Sequence, residues 1–132
     1  MQTLLDTHAW VWWVTEDRRL SSRARAAIRV AQRAGGLAVS LMSVWEVAKK
    51  IEKRQLVLDR PLDQWLDQAT TMPGLVVAEL TRSVLVDSCN LPQSFPGDPA
   101  DHIIVATARH YGATLVTKDR RIREHPQVRA VW

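Results

Sequence analysis

The chain has 132 residues, 46% hydrophobic and 24% charged, and this ordinary globular composition excludes a disordered or fibrous protein. We expect a single domain over residues 1–132, whose core needs no disulfide, and the lone Cys89 has no partner for one within the chain. No apolar run approaches the roughly 18 residues of a membrane span, and no secretory signal follows Met1, so we predict a soluble cytoplasmic protein without membrane contact.

The charge balance indicates what kind of partner the chain prefers. Arginine supplies 14 of the 18 basic residues, and the net charge is +4. Arginine suits bidentate contact with phosphate, so a nucleic acid or an acidic protein segment is a plausible partner, although a merely solvated basic surface explains the charge equally well.

Apolar runs alternate with helical patterns along the chain. In chain order, the first half is predicted to contain a strand at 2–5, a helix at 7–14, a helix between Ser21 and Gly35, a strand at 37–41 and a helix from Ser43 to about Lys53. The second half is predicted to contain a helix from Pro61, a strand at 75–80, a short helix at 81–88, a helix at 99–111, and strands at 114–117 and 128–131. Such alternation predicts a Rossmann-like α/β fold with a parallel sheet of four to five strands and helices on both faces.

Four acidic residues lie where an apolar run gives way to a turn or a helix: Asp6, Glu46, Asp101 and Asp119. Asp6 and Asp119 follow predicted strands, and the carboxyl ends of parallel strands are where open α/β sheets bind ligands. Converging carboxylates repel one another unless a cation neutralises them. The pattern therefore predicts a divalent-metal site, with Asp6 and Asp101 as principal ligands and the other two acids bound directly or through water.

Local structure offers a competing explanation for each acid. Asp6 and Asp119 are placed like helix N-caps, and Asp101 suits the dipole of a helix that begins near Pro99. Glu46 follows Ser43 by three residues, the spacing of a capping box. Asp98 is predicted to cap the helix at Pro99. Separate caps explain each acid but not their shared edge, and together the acids favour a site.

Neighbouring polar residues suggest accessory roles. The hydroxyls of Thr7, Ser43 and Thr117 lie close to the acids in sequence and are candidates to orient carboxylates or to contact phosphate. Mg²⁺ prefers such oxygen ligands. The four histidines show no metal-ligand spacing, so packing or surface roles are expected for them.

Basic and aromatic residues are candidates for partner contact. A helical stripe of arginines and a cluster of tryptophans in one short helix suggest an RNA or protein interface, and at least one of Trp10, Trp12 and Trp13 must be partly exposed. The predicted contact residues are Arg23, Arg25, Arg29, Lys50, Trp10 and Trp13. The alternative is that the tryptophans pack beneath a neighbouring helix, with Trp45 or Trp65.

Four ordered segments resemble the PIN domain (PilT N-terminus) of the VapC toxin type over essentially the whole chain. They are Leu-Leu-Asp-Thr-His-Ala at 4–9, Ser-Leu-Met-Ser-Val-Trp-Glu-Val-Ala at 40–48, Asp-Pro-Ala-Asp-His-Ile-Ile-Val-Ala-Thr-Ala at 98–108 and Leu-Val-Thr-Lys-Asp at 115–119. The resemblance implies a PIN fold and a metal-dependent endoribonuclease that uses Mg²⁺ or Mn²⁺. It also implies catalytic acids at Asp6, Glu46, Asp101 and Asp119, a further acidic position at Asp98, a homodimer and a cognate antitoxin.

The chain departs from that family pattern at several positions. Gly97 stands where a basic residue or histidine often precedes the Asp-Pro pair, and Ala100 and His102 stand where phenylalanine and arginine often flank Asp101. Arg54 stands where glycine is common. These departures affect substrate contact and the turn after the Glu46 helix rather than the carboxylates themselves.

Other functions remain compatible with the residues. One is a PIN-domain RNA-binding or RNA-processing module outside a toxin–antitoxin pair, which includes a catalytically silent binder that keeps the acids only as caps. Another is a phosphohydrolase with Asp6 as its nucleophile, although the chain lacks a second Asp two residues later.

Overall fold

The computed structural model describes residues 1–132 and contains five strands and seven helices. The strands are β1 (Thr3–Leu5), β2 (Leu37–Ser40), β3 (Leu75–Ala78), β4 (Thr114–Val116) and β5 (Ala130–Val131). The helices are α1 (Thr7–Val14), α2 (Ser22–Arg33), α3 (Leu41–Glu52), α4 (Leu62–Ala69), α5 (Arg82–Ser88), α6 (Pro99–Tyr111) and α7 (Arg120–Arg123).

The strands form one parallel sheet in the order β3-β2-β1-β4-β5, which confirms the predicted α/β class. Leu4 in the central strand lies opposite Ala38 on one side and Leu115 on the other. The chain winds outward from β1 to β3 and then crosses to β4, so the strand order reverses between β1 and β4. In open α/β sheets that reversal leaves a crevice at the carboxyl ends of the two strands.

Helices cover both faces of the sheet, as the sequence predicted. Leu5, Val39 and Val116 belong to a cluster with Trp10 and residues of α2 and α4, whereas Leu4 and its neighbours belong to a second cluster with α6 and α7. Adjacent strand residues point to opposite faces, so Leu4 and Leu5 separate the two layers. Both residues are fully buried, which explains why the central strands are apolar at every position rather than at alternate positions.

Helix boundaries follow the predicted caps with two exceptions. Ser21, Thr81 and Asp98 each accept a hydrogen bond from the backbone N–H three residues later. The predicted start of α3 at Ser43 is wrong: the helix begins at Leu41, and Ser40 Oγ accepts the Met42 N–H at 3.0 Å. The chain turns directly from β2 into α3, so the first available hydroxyl becomes the cap. Helix α7 was not predicted, because its four residues include three arginines and only one buried apolar side chain.

The tryptophans divide between the core and the surface. Trp10 is fully buried, its ring lies 5.1 Å from that of Trp65, and its Nε1 donates to the Ala69 carbonyl at 3.1 Å. The predicted role of Trp10 in partner contact is therefore wrong, since the indole fills the space between α1 and α4. Trp12 and Trp13 are partly exposed, as expected for three tryptophans in one short helix.

One backbone feature bears on a departure from the family pattern. Arg54, just after α3, has a positive φ of 57°, a conformation that costs a residue with a side chain more than it costs glycine. None of the seven helices is long and apolar enough to cross a membrane.

Candidate active site

The crevice between β1 and β4 is lined by acidic and hydroxyl side chains. Asp6 follows β1 directly and caps α1, because its Oδ1 accepts the Ala9 N–H at 2.9 Å. Thr117 follows β4 and is buried beside it. The loop and helix that follow each strand thus turn these polar side chains toward one edge of the sheet.

Helices α3 and α6 bring three more carboxylates together. Oxygen atoms of Glu46, Asp98 and Asp101 lie within 4.8 Å of one another. Asp98 and Asp101 also form a reciprocal capping box: Asp98 Oδ1 accepts from Asp101 N at 2.9 Å, and Asp101 Oδ2 accepts from Asp98 N at 3.1 Å. Asp98 is therefore a helix cap, as predicted, and it also belongs to the group of converging carboxylates. The predicted capping box of Ser43 and Glu46 does not form.

Burial and mutual repulsion disfavour the charged forms of these acids. Burial raises the pKa of Asp6 to about 8, with smaller upward contributions from the charges of Asp101 and Glu46. Burial likewise raises the pKa of Asp101 to about 6, and it raises the pKa of Glu46 above its ordinary value. Perturbed carboxylates that converge in a cleft are typical of functional sites.

The three hydroxyls predicted as accessory groups lie beside the acids, and Ser43 reaches Glu46 only through Thr7. Thr7 Oγ1 lies 2.9 Å from Ser43 Oγ and also hydrogen-bonds Glu46 Oε1. A hydroxyl has a single proton, so Thr7 donates it to the Glu46 carboxylate and accepts from Ser43. The Thr117 hydroxyl accepts the Asp119 N–H at 3.1 Å, and it lies close enough to the Asp6 carboxyl to offset part of the rise in the pKa of that group. Thr7, Ser43 and Thr117 are all buried, so these bonds fix the carboxylates in place.

Sequence reasoning missed His8. Its Nε2 lies 3.0 Å from Asp6 Oδ2 and accepts the Lys118 N–H at 3.2 Å. One imidazole nitrogen carries either a proton or a single lone pair, so Nε2 makes one of these two hydrogen bonds at a time: it accepts from the Lys118 N–H or donates to Asp6. Burial lowers the pKa of His8 to about 4, with Lys50 and Lys118 adding to the effect, which agrees with a neutral ring. The position of His8, two residues after Asp6, was its one signal in the sequence.

Asp119 lies at the margin of the site and is paired with a cation. It caps α7, and its Oδ2 lies 3.0 Å from Nη2 of Arg121. Hydrogen bonding from Arg121 holds the pKa of Asp119 below its ordinary value, in contrast to the other acids. Asp119 is not among the three carboxylates that converge most closely.

Gly97 explains one departure from the family pattern. Its φ is +97°, and a Cβ at this position would lie 2.7 Å from Asp101 Oδ2. A larger residue would therefore displace the Asp101 carboxylate. His102 points away from the acids, with Nε2 3.2 Å from the Pro96 carbonyl oxygen.

A cavity of about 260 Å³ opens beside the acids, and its walls include Glu46, Asp98 and Lys50. The largest cavity, of about 660 Å³, lies elsewhere, between α1, α4 and the segment at 56–60, and none of the converging carboxylates lines it. We assign the functional site to the region of the smaller cavity because Glu46 and Asp98, two of the three converging carboxylates, line it. The α2 arginines Arg23, Arg25 and Arg29 line neither cavity, and Arg25 donates to the Asp17 carbonyl.

A family model for the PIN domain matches residues 3–127. The chain belongs to the PIN-domain family. This PIN-domain chain is 44% identical over 131 residues to Ribonuclease VapC22 of Mycobacterium tuberculosis (strain ATCC 25618 / H37Rv), and the match covers 98% of this chain and 97% of that protein. The resemblance to the VapC type predicted from the sequence is thus confirmed.

Solved structures show the same PIN fold at low sequence identity. A structure of VapBC2 from Rickettsia felis bound to a DNA fragment from its promoter has a TM-score of 0.70 at 16% identity, covering 99% of this chain and 98% of that one. A toxin–antitoxin complex from Klebsiella pneumoniae has a TM-score of 0.68 at 21% identity, covering 99% and 97%.

Proposed function

We propose that this PIN domain, acting as one unit over residues 1–132, is a metal-dependent endoribonuclease and the VapC-like toxin of a type II toxin–antitoxin pair. The observation that supports this most directly is the convergence of Glu46, Asp98 and Asp101 beside buried Asp6 at the sheet crevice. It occurs in a chain 44% identical to a ribonuclease.

The donor set suits a hard divalent cation. All the candidate ligands are carboxylate oxygens, which Mg²⁺ and Mn²⁺ prefer. Burial, with a smaller contribution from neighbouring acids, raises the pKa of Asp6 and Asp101, and a bound cation would offset both effects. Asp6 and Asp101 would be the principal ligands, with Glu46 and Asp119 completing the set directly or through water, and Asp98 adding charge. Once bound, the ion supplies Lewis acidity at the scissile phosphate and neutralises charge there.

The chain's own side chains prepare the site before any cation binds. Thr7 and Ser43 hold the Glu46 carboxylate, and Thr117 links Asp6 to the backbone at Asp119. Asp119 would hold a cation only if its pair with Arg121 opened, and the freed Arg121 guanidinium would then be able to contact a phosphate. Arg121 is therefore a further candidate for contact with an RNA phosphate.

The contacts of Asp6 argue against a phospho-aspartate mechanism. Its Oδ1 accepts the Ala9 N–H and its Oδ2 lies against His8, so both oxygens are engaged, and a pKa of about 8 leaves the group mostly protonated at neutral pH. A protonated, fully engaged carboxyl is a poor nucleophile.

The proposed partners are an RNA substrate, a cognate antitoxin and a second copy of the chain, in the cytoplasm. The antitoxin proposal is supported by structural neighbours described as toxin–antitoxin complexes. The exposed basic side chains Arg23, Arg29 and Lys50, together with partly buried Arg25 and Trp13, remain candidates for contact with RNA or antitoxin.

Cleavage of a structured RNA pool by purified protein with Mg²⁺ or Mn²⁺ tests the proposal. We expect metal-dependent fragments that disappear with a chelator and in Asp101→Asn, which removes a charge but little volume. Asp67→Asn, an identical change at an exposed position of α4, is the matched control and should cleave like the wild type. Cleavage by Asp101→Asn at the wild-type rate would contradict the ligand assignment, and metal-independent RNA binding without cleavage by the wild type would favour a silent binding module.

A further inference from the structure

Three aromatic rings meet beside the carboxyl of Asp6. The centre of the His8 ring lies 5.0 Å from that of Trp12, at an interplanar angle of 51°, and 6.1 Å from that of Trp132, at 67°. The two indoles lie 5.7 Å apart at 62°, so each of the three rings contacts the other two. Tilted and edge-to-face pairs at such separations are favourable for aromatic rings. His8, Trp12 and Trp132 thus form an aromatic cluster at the margin of the site.

Both indoles of the cluster are anchored to the fold. Trp132 follows β5, which pairs with β4 through a hydrogen bond of 3.1 Å from the Thr117 N–H to the Val131 carbonyl. Trp12 belongs to α1, and the Arg19 guanidinium lies over its ring at 4.7 Å. Both indoles also pack against the larger of the two core clusters. Helix α1 and strand β5 therefore place an indole on two sides of the His8 imidazole.

The His8 ring sets the position of one oxygen of Asp6. Asp6 Oδ1 accepts the Ala9 N–H at 2.9 Å, whereas Oδ2 meets His8 Nε2 at 3.0 Å. A cation on Asp6 requires the ionised carboxylate, which can only accept, so Nε2 would then donate to Oδ2 and lose its bond to the Lys118 N–H. The His8 side chain is 37% exposed, so its ring would then depend on the two indoles for its orientation.

We infer that Trp132 is a positioning residue for the metal site: its indole holds the His8 ring against Asp6 Oδ2 and thereby orients the carboxylate that receives the cation. Groups that orient a metal ligand in this way commonly affect metal affinity without touching the ion. The simpler alternative is that Trp132 only covers the end of the sheet beside β5, and it would then affect stability but have no specific effect on metal affinity.

A double-mutant cycle on Mn²⁺ binding separates these two roles. Calorimetry at one pH gives the Mn²⁺ affinity of the wild type, Trp132→Ala, His8→Ala and the double variant. We expect Trp132→Ala to weaken binding by about 10-fold, and His8→Ala to weaken it at least as much. The double variant should bind Mn²⁺ like His8→Ala alone, because Trp132 acts on the metal site only through the imidazole.

Three further variants control for general damage to the fold. Trp132→Phe keeps an aromatic contact with His8, so its Mn²⁺ affinity should stay within about 2-fold of the wild type. Tyr111→Ala removes a 40% exposed aromatic side chain at the end of α6 opposite Asp101 and should leave the affinity unchanged. Urea unfolding checks that every variant is folded in the assay. If Trp132→Ala is not folded, Trp132→Leu, which keeps apolar cover without a ring, replaces it in the cycle.

The inference rests on the proposed function, since it concerns the metal site of the proposed nuclease, but the outcomes distinguish the two. Trp132→Ala that leaves Mn²⁺ affinity unchanged, or weakens it equally with and without His8, would refute the positioning role alone. Trp132→Phe that binds as weakly as Trp132→Ala would refute the ring contact. A wild type that binds Mn²⁺ with the expected coupling but cleaves no RNA would refute the nuclease function alone, and one that binds no Mn²⁺ would refute both.

Discussion

Asp6→Asn should stabilise the metal-free protein, and by an amount that grows with pH. Asp6 is buried and its pKa is raised to about 8 from an ordinary value of 3.8. Between these two values the folded chain keeps a proton that the unfolded chain releases. The free energy of unfolding of the wild type therefore falls as the pH rises through this window, since folding then requires proton uptake.

The size of the effect follows from one proton. Asparagine resembles the protonated carboxyl, because it is neutral, has nearly the same shape and still accepts the Ala9 N–H. It does not titrate, so the advantage of Asp6→Asn in unfolding free energy should increase by about 1.4 kcal/mol per pH unit, or about 2.5 kcal/mol between about pH 5 and pH 7. Asp101 and Glu46 titrate in both proteins, so their contribution largely cancels in the difference.

Urea unfolding, followed by tryptophan fluorescence in the presence of a chelator, measures this difference at equal protein concentrations. Under the proposed ligand set, a second series with saturating Mn²⁺ should reverse the order, because a cation would replace the proton on Asp6 and stabilise only the wild type. A difference that stays constant from about pH 5 to pH 7 would refute the reasoning that Asp6 is held protonated by its buried surroundings.

Three further substitutions test other features of the fold and site. Arg54→Gly relieves the positive φ after α3 and should raise the free energy of unfolding by about 0.5–1 kcal/mol in urea; an unchanged or lower value would contradict the strain. Gly97→Ala places a Cβ against the Asp101 carboxylate and should weaken Mn²⁺ binding about 10-fold or more by calorimetry, whereas unaltered affinity would remove Asp101 from the ligand set. Trp10→Phe removes the hydrogen bond to the Ala69 carbonyl and some buried volume, so we expect it to lower the free energy of unfolding by about 2–4 kcal/mol. Trp13→Phe should lower it by less, and equal decreases would contradict the assignment of Trp10 to the core.

The sequence by itself determined the fold class and the general location of the site. Alternating apolar runs and helical patterns predicted the parallel sheet, since strands buried on both faces are apolar at successive positions, as Leu4 and Leu5 are. Acids at strand ends predicted the crevice, because the carboxyl ends of parallel strands share one edge. The caps at Ser21 and Asp98 were also predictable, as capping depends on a backbone N–H only two or three residues away.

Only the tertiary structure decided which partner each side chain meets. Ser43 has the local spacing of a cap, but β2 runs straight into α3, so Ser43 falls inside the helix and bonds Thr7, 36 residues away. Trp10 lies in the core and not at the surface because Trp65 of α4 packs against its ring. His8 lies in the site because its ring contacts the backbone N–H of Lys118, just after β4. Contacts between residues distant in the chain depend on how whole elements pack, and local pattern contains no information about that packing.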